Sequence, residues 1–162
     1  MSLEPFTNRL LAGDTSVVGD LLASGYDLNL ANCNGRTPLM LAASLGDCEM
    51  IVSLITAGAS VSATGSAGTA AIHDAAVNGH LSVVVTLLEL GADVNAVTDD
   101  GITPLMCAAA WGEVEVAQAL IARGADVQCR ANRGDTALDI AVEKCQDEMA
   151  EFLAAALGGR PE

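Results

Sequence analysis

The sequence predicts an all-α solenoid, a row of stacked helix–turn–helix units, and two observations predict it. Gly35, Gly68, Gly101 and Gly134 recur every 33 residues, and two more glycine series keep the interval without insertion: Gly13, Gly46, Gly79, Gly112 and Gly25, Gly58, Gly91, Gly124. Self-similarity of this period marks units that cannot bury their apolar faces alone and bury them against neighbours. The second observation is compositional. Of 162 residues 51% are hydrophobic, yet the aromatics are only Phe6, Tyr26, Trp111 and Phe152. One globular core would use more, whereas stacked helices packed through Ala, Val and Leu need few.

Each interval opens on the same run, seen most clearly in Thr37-Pro38-Leu39-Met40-Leu41-Ala42-Ala43 and Thr103-Pro104-Leu105-Met106-Cys107-Ala108-Ala109. Thr37 and Thr103 are suited to N-cap a helix whose first residue is Pro38 or Pro104, where a missing amide proton costs nothing. Leu39, Ala42 and Ala43 then share a face at helical spacing, the alanines small enough for close approach. Gly46 ends the helix in a left-handed conformation. A second helix follows with Ile51, Val52, Leu54 and Ile55 expected inward, and Gly58 ends it. The unit opening at Gly68 has Ala70-Ala71 in place of Thr-Pro, which predicts a soft spot. The stretch after Ala59 is rich in Ser, Asn and Gly, as turns require.

Thr37-Pro38-Leu39, Thr103-Pro104-Leu105 and the ending Gly91-Ala92-Asp93-Val94-Asn95-Ala96 resemble the ankyrin repeat family, over nearly the whole chain. The resemblance implies that the turn-rich linkers fold as projecting β-hairpins. It divides a single domain, 1–162, into full repeats at 32–64, 65–97 and 98–130. An N-terminal capping repeat fills 1–31 and a C-terminal one 131–157, with a tail at 158–162. Residues 1–3 read as an appended remnant. Tyr26 stands where later repeats have Ala59, Ala92 and Ala125, and is expected to cover the end of the stack.

The formal net charge is −14, and no Lys or Arg occurs from Thr37 to Ala122. That disfavours nucleic acid and anionic membranes, which are recognised by clustered bases. It suits a soluble solenoid and a partner with a basic surface. Cys33, Cys48, Cys107, Cys129 and Cys145 have no metal-binding spacing with His73 or His80 and read as reduced thiols in the cytoplasm or nucleus. No signal peptide and no membrane-spanning apolar run is seen.

No catalytic residue, cofactor or metal site is predicted. A His73–Cys107 base and nucleophile pair is conceivable, but stacked units hold equivalent atoms roughly 10 Å apart, beyond proton transfer. His73 and His80 also stand where the resemblance implies framework histidines. Asp99-Asp100 lacks the spacing of a calcium loop and reads as a solvated tip.

The resemblance implies a non-catalytic interaction module, monomeric when free, that binds another protein as adaptor or inhibitor along its concave side. Carried over residue by residue, the tips are Cys33, Asn34, Arg36; Ser66, Ala67, Thr69; Asp99, Asp100, Ile102; and Asn132, Arg133, Asp135. The helix ends are Ser44, Leu45; Val77, Asn78; Ala110, Trp111; and Glu143, Lys144. Leu41, Asp74, Cys107 and Ile140 form a partly exposed column. Trp111, Leu45, Val77 and Ile102 would make an apolar anchor centred on the third and fourth units, with Asp74, Asp99 and Asp100 as acidic rim. The alternative for Trp111 is a ring folded down onto the groove between the third and fourth units. The alternative function is a passive scaffold segment.

Two narrower likenesses complete the reading. Length, acidity and His73-Asp74-Ala75-Ala76 are similar to the small ankyrin-type inhibitors of cyclin-dependent kinases, but the first helix of the second repeat, shortened in those, is complete here from Thr37 to Leu45. Asn29 and Asn95, each eight residues after a leucine (Leu21, Leu87), are similar to ankyrin asparagines modified by an animal oxygen-sensing hydroxylase. The alternative for both is a structural brace.

Overall fold

A computed structural model describes residues 4–158 and forms ten α-helices among them. They are α1 (Glu4–Leu11), α2 (Val17–Ala23), α3 (Pro38–Leu45), α4 (Cys48–Thr56), α5 (Ala71–Val77), α6 (Leu81–Glu89), α7 (Pro104–Trp111), α8 (Val114–Ala122), α9 (Ala137–Glu143) and α10 (Asp147–Gly158). The odd-numbered helices pack in sequence as an inner row, and each carries its even-numbered partner behind it. The expected remnant at 1–3 and the tail beyond Gly158 lie outside the described residues.

The caps form as the residue types dictate. Thr37, Thr103 and Thr136 each accept a hydrogen bond through Oγ1 from the amide three residues on, at 3.3, 3.2 and 3.2 Å. Pro38 and Pro104 occupy the first helical turn. Gly46 and Gly112 end α3 and α7 with φ of 76° and 74°, a region closed to side chains without strain. Cys145 occupies the same place after α9 with φ of 55°. Ala70 provides no side-chain cap to α5.

Small residues set the spacing of the inner row. Ala42, Ala43, Ala75, Ala76, Ala108, Ala109 and Ala141 are all buried, so adjacent helices meet almost backbone to backbone, and Leu39, Ile72 and Leu105 fill the layer behind. On α4, Ile51 and Leu54 are buried as expected, but Val52 is exposed. One residue further round the helix than Ile51, it falls off the buried stripe. Tyr26 is buried, and its hydroxyl donates to the Leu30 carbonyl at 2.8 Å.

The projecting loops are hairpin turns with almost no strand pairing, the isolated bridge being Thr64 with Ala70. Each tip is closed by a backbone bond across its base, the Asn32, Gly65, Thr98 and Ala131 amides donating to the Arg36, Thr69, Ile102 and Asp135 carbonyls. Successive tips then bond to one another: the Ser66, Asp99 and Asn132 amides donate to the Gly35, Ala67 and Asp100 carbonyls at 2.8, 2.9 and 2.9 Å. This ladder runs along the stack and fixes the tips in register with the inner helices.

Candidate functional site

Because the inner helices lie side by side, the C-terminal ends of α5, α7 and α9 and the tips beside them converge on one concave surface. There they enclose a groove of about 510 Å³. Val77, Ile102, Met106, Ala110 and Ile140 give it an apolar floor, and Asp100, Arg133, Asp135, Glu143 and Lys144 a charged rim of both signs. Trp111, at the end of α7, is one wall. It is 63% exposed, and a second, shallower depression with Lys144 and Gln146 lies on it as well. The ring is therefore not folded down between the third and fourth units. Thirteen residues line the groove, and Val77 alone comes from the third unit, so its centre sits between the fourth and fifth units.

The other expected surface residues divide into free and engaged. Leu45, Asn78, Asp99, Asp100 and Lys144 are exposed, with Leu45, Asn78 and Asp99 outside the groove; Asn78 Nδ2 donates to the Asp74 carbonyl at 2.7 Å and Lys144 pairs with Glu143 at 3.7 Å. Thr69 turns its hydroxyl onto the Ser66 carbonyl at 3.0 Å. Leu41 is buried, contrary to the expected partly exposed column, because α3 is enclosed between α1 and α5. Arg36 and Asp74 form an ion pair at 2.8 Å, and the guanidinium also donates to the Met40 carbonyl at 3.3 Å. Asp74 is thus a structural tie between the second and third units, with only 18% of its side chain exposed, and not a free element of the rim. Burial pushes its carboxyl above the ordinary range, and the Arg36 charge opposes that without cancelling it.

Cys107 is largely enclosed, and burial followed by the Asp74 charge pushes its thiol up to about 12. At that value it is almost entirely protonated at neutral pH, which makes it a poor nucleophile. His73 is 1% exposed, with both ring nitrogens committed to backbone partners: Nδ1 to Ala70 at 3.2 Å, Nε2 to Ala96 and Ile102 at 3.1 Å each. His80 Nε2 lies 3.0 Å from the Ser44 carbonyl, bonding the start of α6 to the end of α3. Asn29 Oδ1 accepts from the Ser60 amide at 2.7 Å, and Asn95 Oδ1 from the Asp126 amide at 2.8 Å. Both asparagines brace one linker against the next.

Among the described residues no group of three or more His, Cys, Asp or Glu side chains is arranged to hold a metal ion, and no helix is long and apolar enough to cross a membrane. Met106 and Ala131 belong to the groove but carry no sign of it in the sequence. Met106 reads as core, and Ala131 stands where earlier tips have Asn32, Gly65 and Thr98.

A family model described as ankyrin repeats (3 copies) matches residues 10–98 and 93–161. No curated protein matches the chain.

Proposed function

We propose, starting from the fact that this chain belongs to the ankyrin repeat family, that it is an interaction module whose concave groove binds a partner protein with a basic surface. Ankyrin repeats are generally protein–protein interaction modules and typically non-catalytic. The observation that carries the reading is Trp111. An indole left 63% exposed beside an apolar floor is an unpaired anchor, and such residues dominate interface energetics when a partner desolvates them. Asp99 and Asp100, exposed on the neighbouring tip, and the absence of Lys and Arg from Thr37 to Ala122 favour a partner of opposite charge.

The module acts as a monomer in the cytoplasm or nucleus, as adaptor or inhibitor. The full two turns of α3, Pro38–Leu45, weigh against the kinase-inhibitor version, whose corresponding helix is shortened. Purification from the source organism with wild type and Trp111→Ala as baits tests the proposal. A stoichiometric partner captured by wild type and lost with the variant supports it. A partner held equally by both removes the groove from the account, and no stoichiometric partner leaves a passive scaffold.

A further inference from the structure

We propose that His73 is a proton-sensitive latch, its neutral imidazole tying the start of α5 to the loop that leads into α7. A carbonyl can only accept, so Nε2 carries the ring hydrogen and shares it between Ala96 and Ile102, one either side of the tip Asp99-Asp100. The Ala70 amide can only donate, so Nδ1 presents its lone pair. One tautomer alone satisfies all three partners. A second proton must go to Nδ1, where it would face the Ala70 N–H. His73 is 1% exposed and Ala70 5%, which leaves no water to relieve two opposed donors.

The surroundings give that proton little compensation. Asp74, on the same helix, is the carboxylate whose charge reaches the ring, and Arg36 from the second tip already pairs with it. α7 brings Cys107, which is neutral, and α3 carries no ionisable side chain. The acid of α6, Glu89, is exposed and pairs with Arg123, and Asp99 and Asp100 are exposed on the tip. Burial accordingly holds His73 below its ordinary value of 6.5, against the pull of the backbone hydrogen bonds.

The equivalent positions in the fourth and fifth units accept the amide at the start of their own helix without titrating near neutrality. Met106 Sδ accepts the Thr103 amide at 3.5 Å, and the Asp139 carboxylate accepts the Thr136 amide at 2.9 Å. His73 alone places a group of near-neutral pKa at such a junction. Its folded pKa lies below that of a released imidazole, so the latch holds fully above about pH 6.5 and weakens as pH falls. From pH 7.5 to 5.0 the released form gains by up to about 30-fold if closed His73 stays neutral. Release frees the Ile102 carbonyl and with it part of the groove's apolar floor. The latch stands whatever the groove binds, because no partner enters its test.

The test reads wild-type protein by imidazole nitrogen spectra and amide hydrogen exchange. The Thr103 amide, bonded to a sulfur that does not titrate, is the internal reference for Ala70. The expected result is an Nε2–H tautomer that stays neutral below pH 6.5, with the Ala70-to-Thr103 protection ratio falling as much as about 30-fold between pH 7.5 and 5.0. His80→Gln, the residue found at the equivalent Gln146, retains that fall, and His73→Met, matching Met40 and Met106, abolishes it. An Nδ1–H tautomer, a His73 that titrates at or above 6.5, or a constant ratio in wild type overturns the latch.

Discussion

Replacing Ala70-Ala71 by the Thr-Pro of the neighbouring units should stabilise the stack by roughly 1–2 kcal/mol. Thr37 and Thr103 are almost fully buried and still cap their helices, so the site admits a threonine at the equivalent Ala70, itself 5% exposed. The cap gain falls in the lower part of the usual range, about 0.5–1 kcal/mol, because the His73 amide already bonds the Ala70 carbonyl at 3.0 Å. Proline at position 71 adds about 0.4–1 kcal/mol by restricting the unfolded chain, at a first-turn position where Pro38 and Pro104 are accommodated. Urea unfolding followed by circular dichroism measures the sum. With a slope of roughly 2 kcal/mol/M, the midpoint should rise by about 0.5–1 M at unchanged slope. A midpoint that stays or falls refutes the capping argument for α5.

Cys145→Gly should stabilise by about 1 kcal/mol, read as a higher denaturation midpoint, since it removes a side chain from a left-handed position that Gly46 and Gly112 fill elsewhere. In an alkylation time course resolved by mass spectrometry at pH 8, the exposed Cys33 and Cys145 should label readily. Cys107 should lag, its thiolate being about 1000-fold scarcer than that of an ordinary cysteine. Asp99→Asn with Asp100→Asn should slow partner association and flatten its salt dependence in stopped-flow measurements, with dissociation little changed.

The repeat itself was legible because its determinants are local. Proline at the first helical turn, a threonine before it and glycine after the last turn act within a few residues, and all three recur. Val52 shows the limit of that reading: six apolar residues in a nine-residue helix exceed one buried stripe, and only Gln118 at the equivalent place of α8 hints which falls outside. Asp74 and Leu41 were misplaced for a longer-range reason. The partner of Asp74 is Arg36, on the preceding tip, and Leu41 is enclosed by flanking helices that no local pattern specifies. Trp111 could not be placed from sequence because its ring direction depends on what the fifth unit sets beside it, Lys144 and Gln146. The same dependence moved the groove one unit towards the C-terminus of the stack.

The central claim is that Trp111 is exposed for binding and not for folding, and Trp111→Ala measured both ways tests it most directly. Affinity for the partner captured by wild type should fall at least about 30-fold, equivalent to about 2 kcal/mol. Unfolding stability should stay within about 0.5 kcal/mol of wild type, as for a surface side chain 63% exposed. A stability loss of several kcal/mol with affinity unchanged would contradict the account, returning the indole to the packing of the stack and leaving the groove without its anchor.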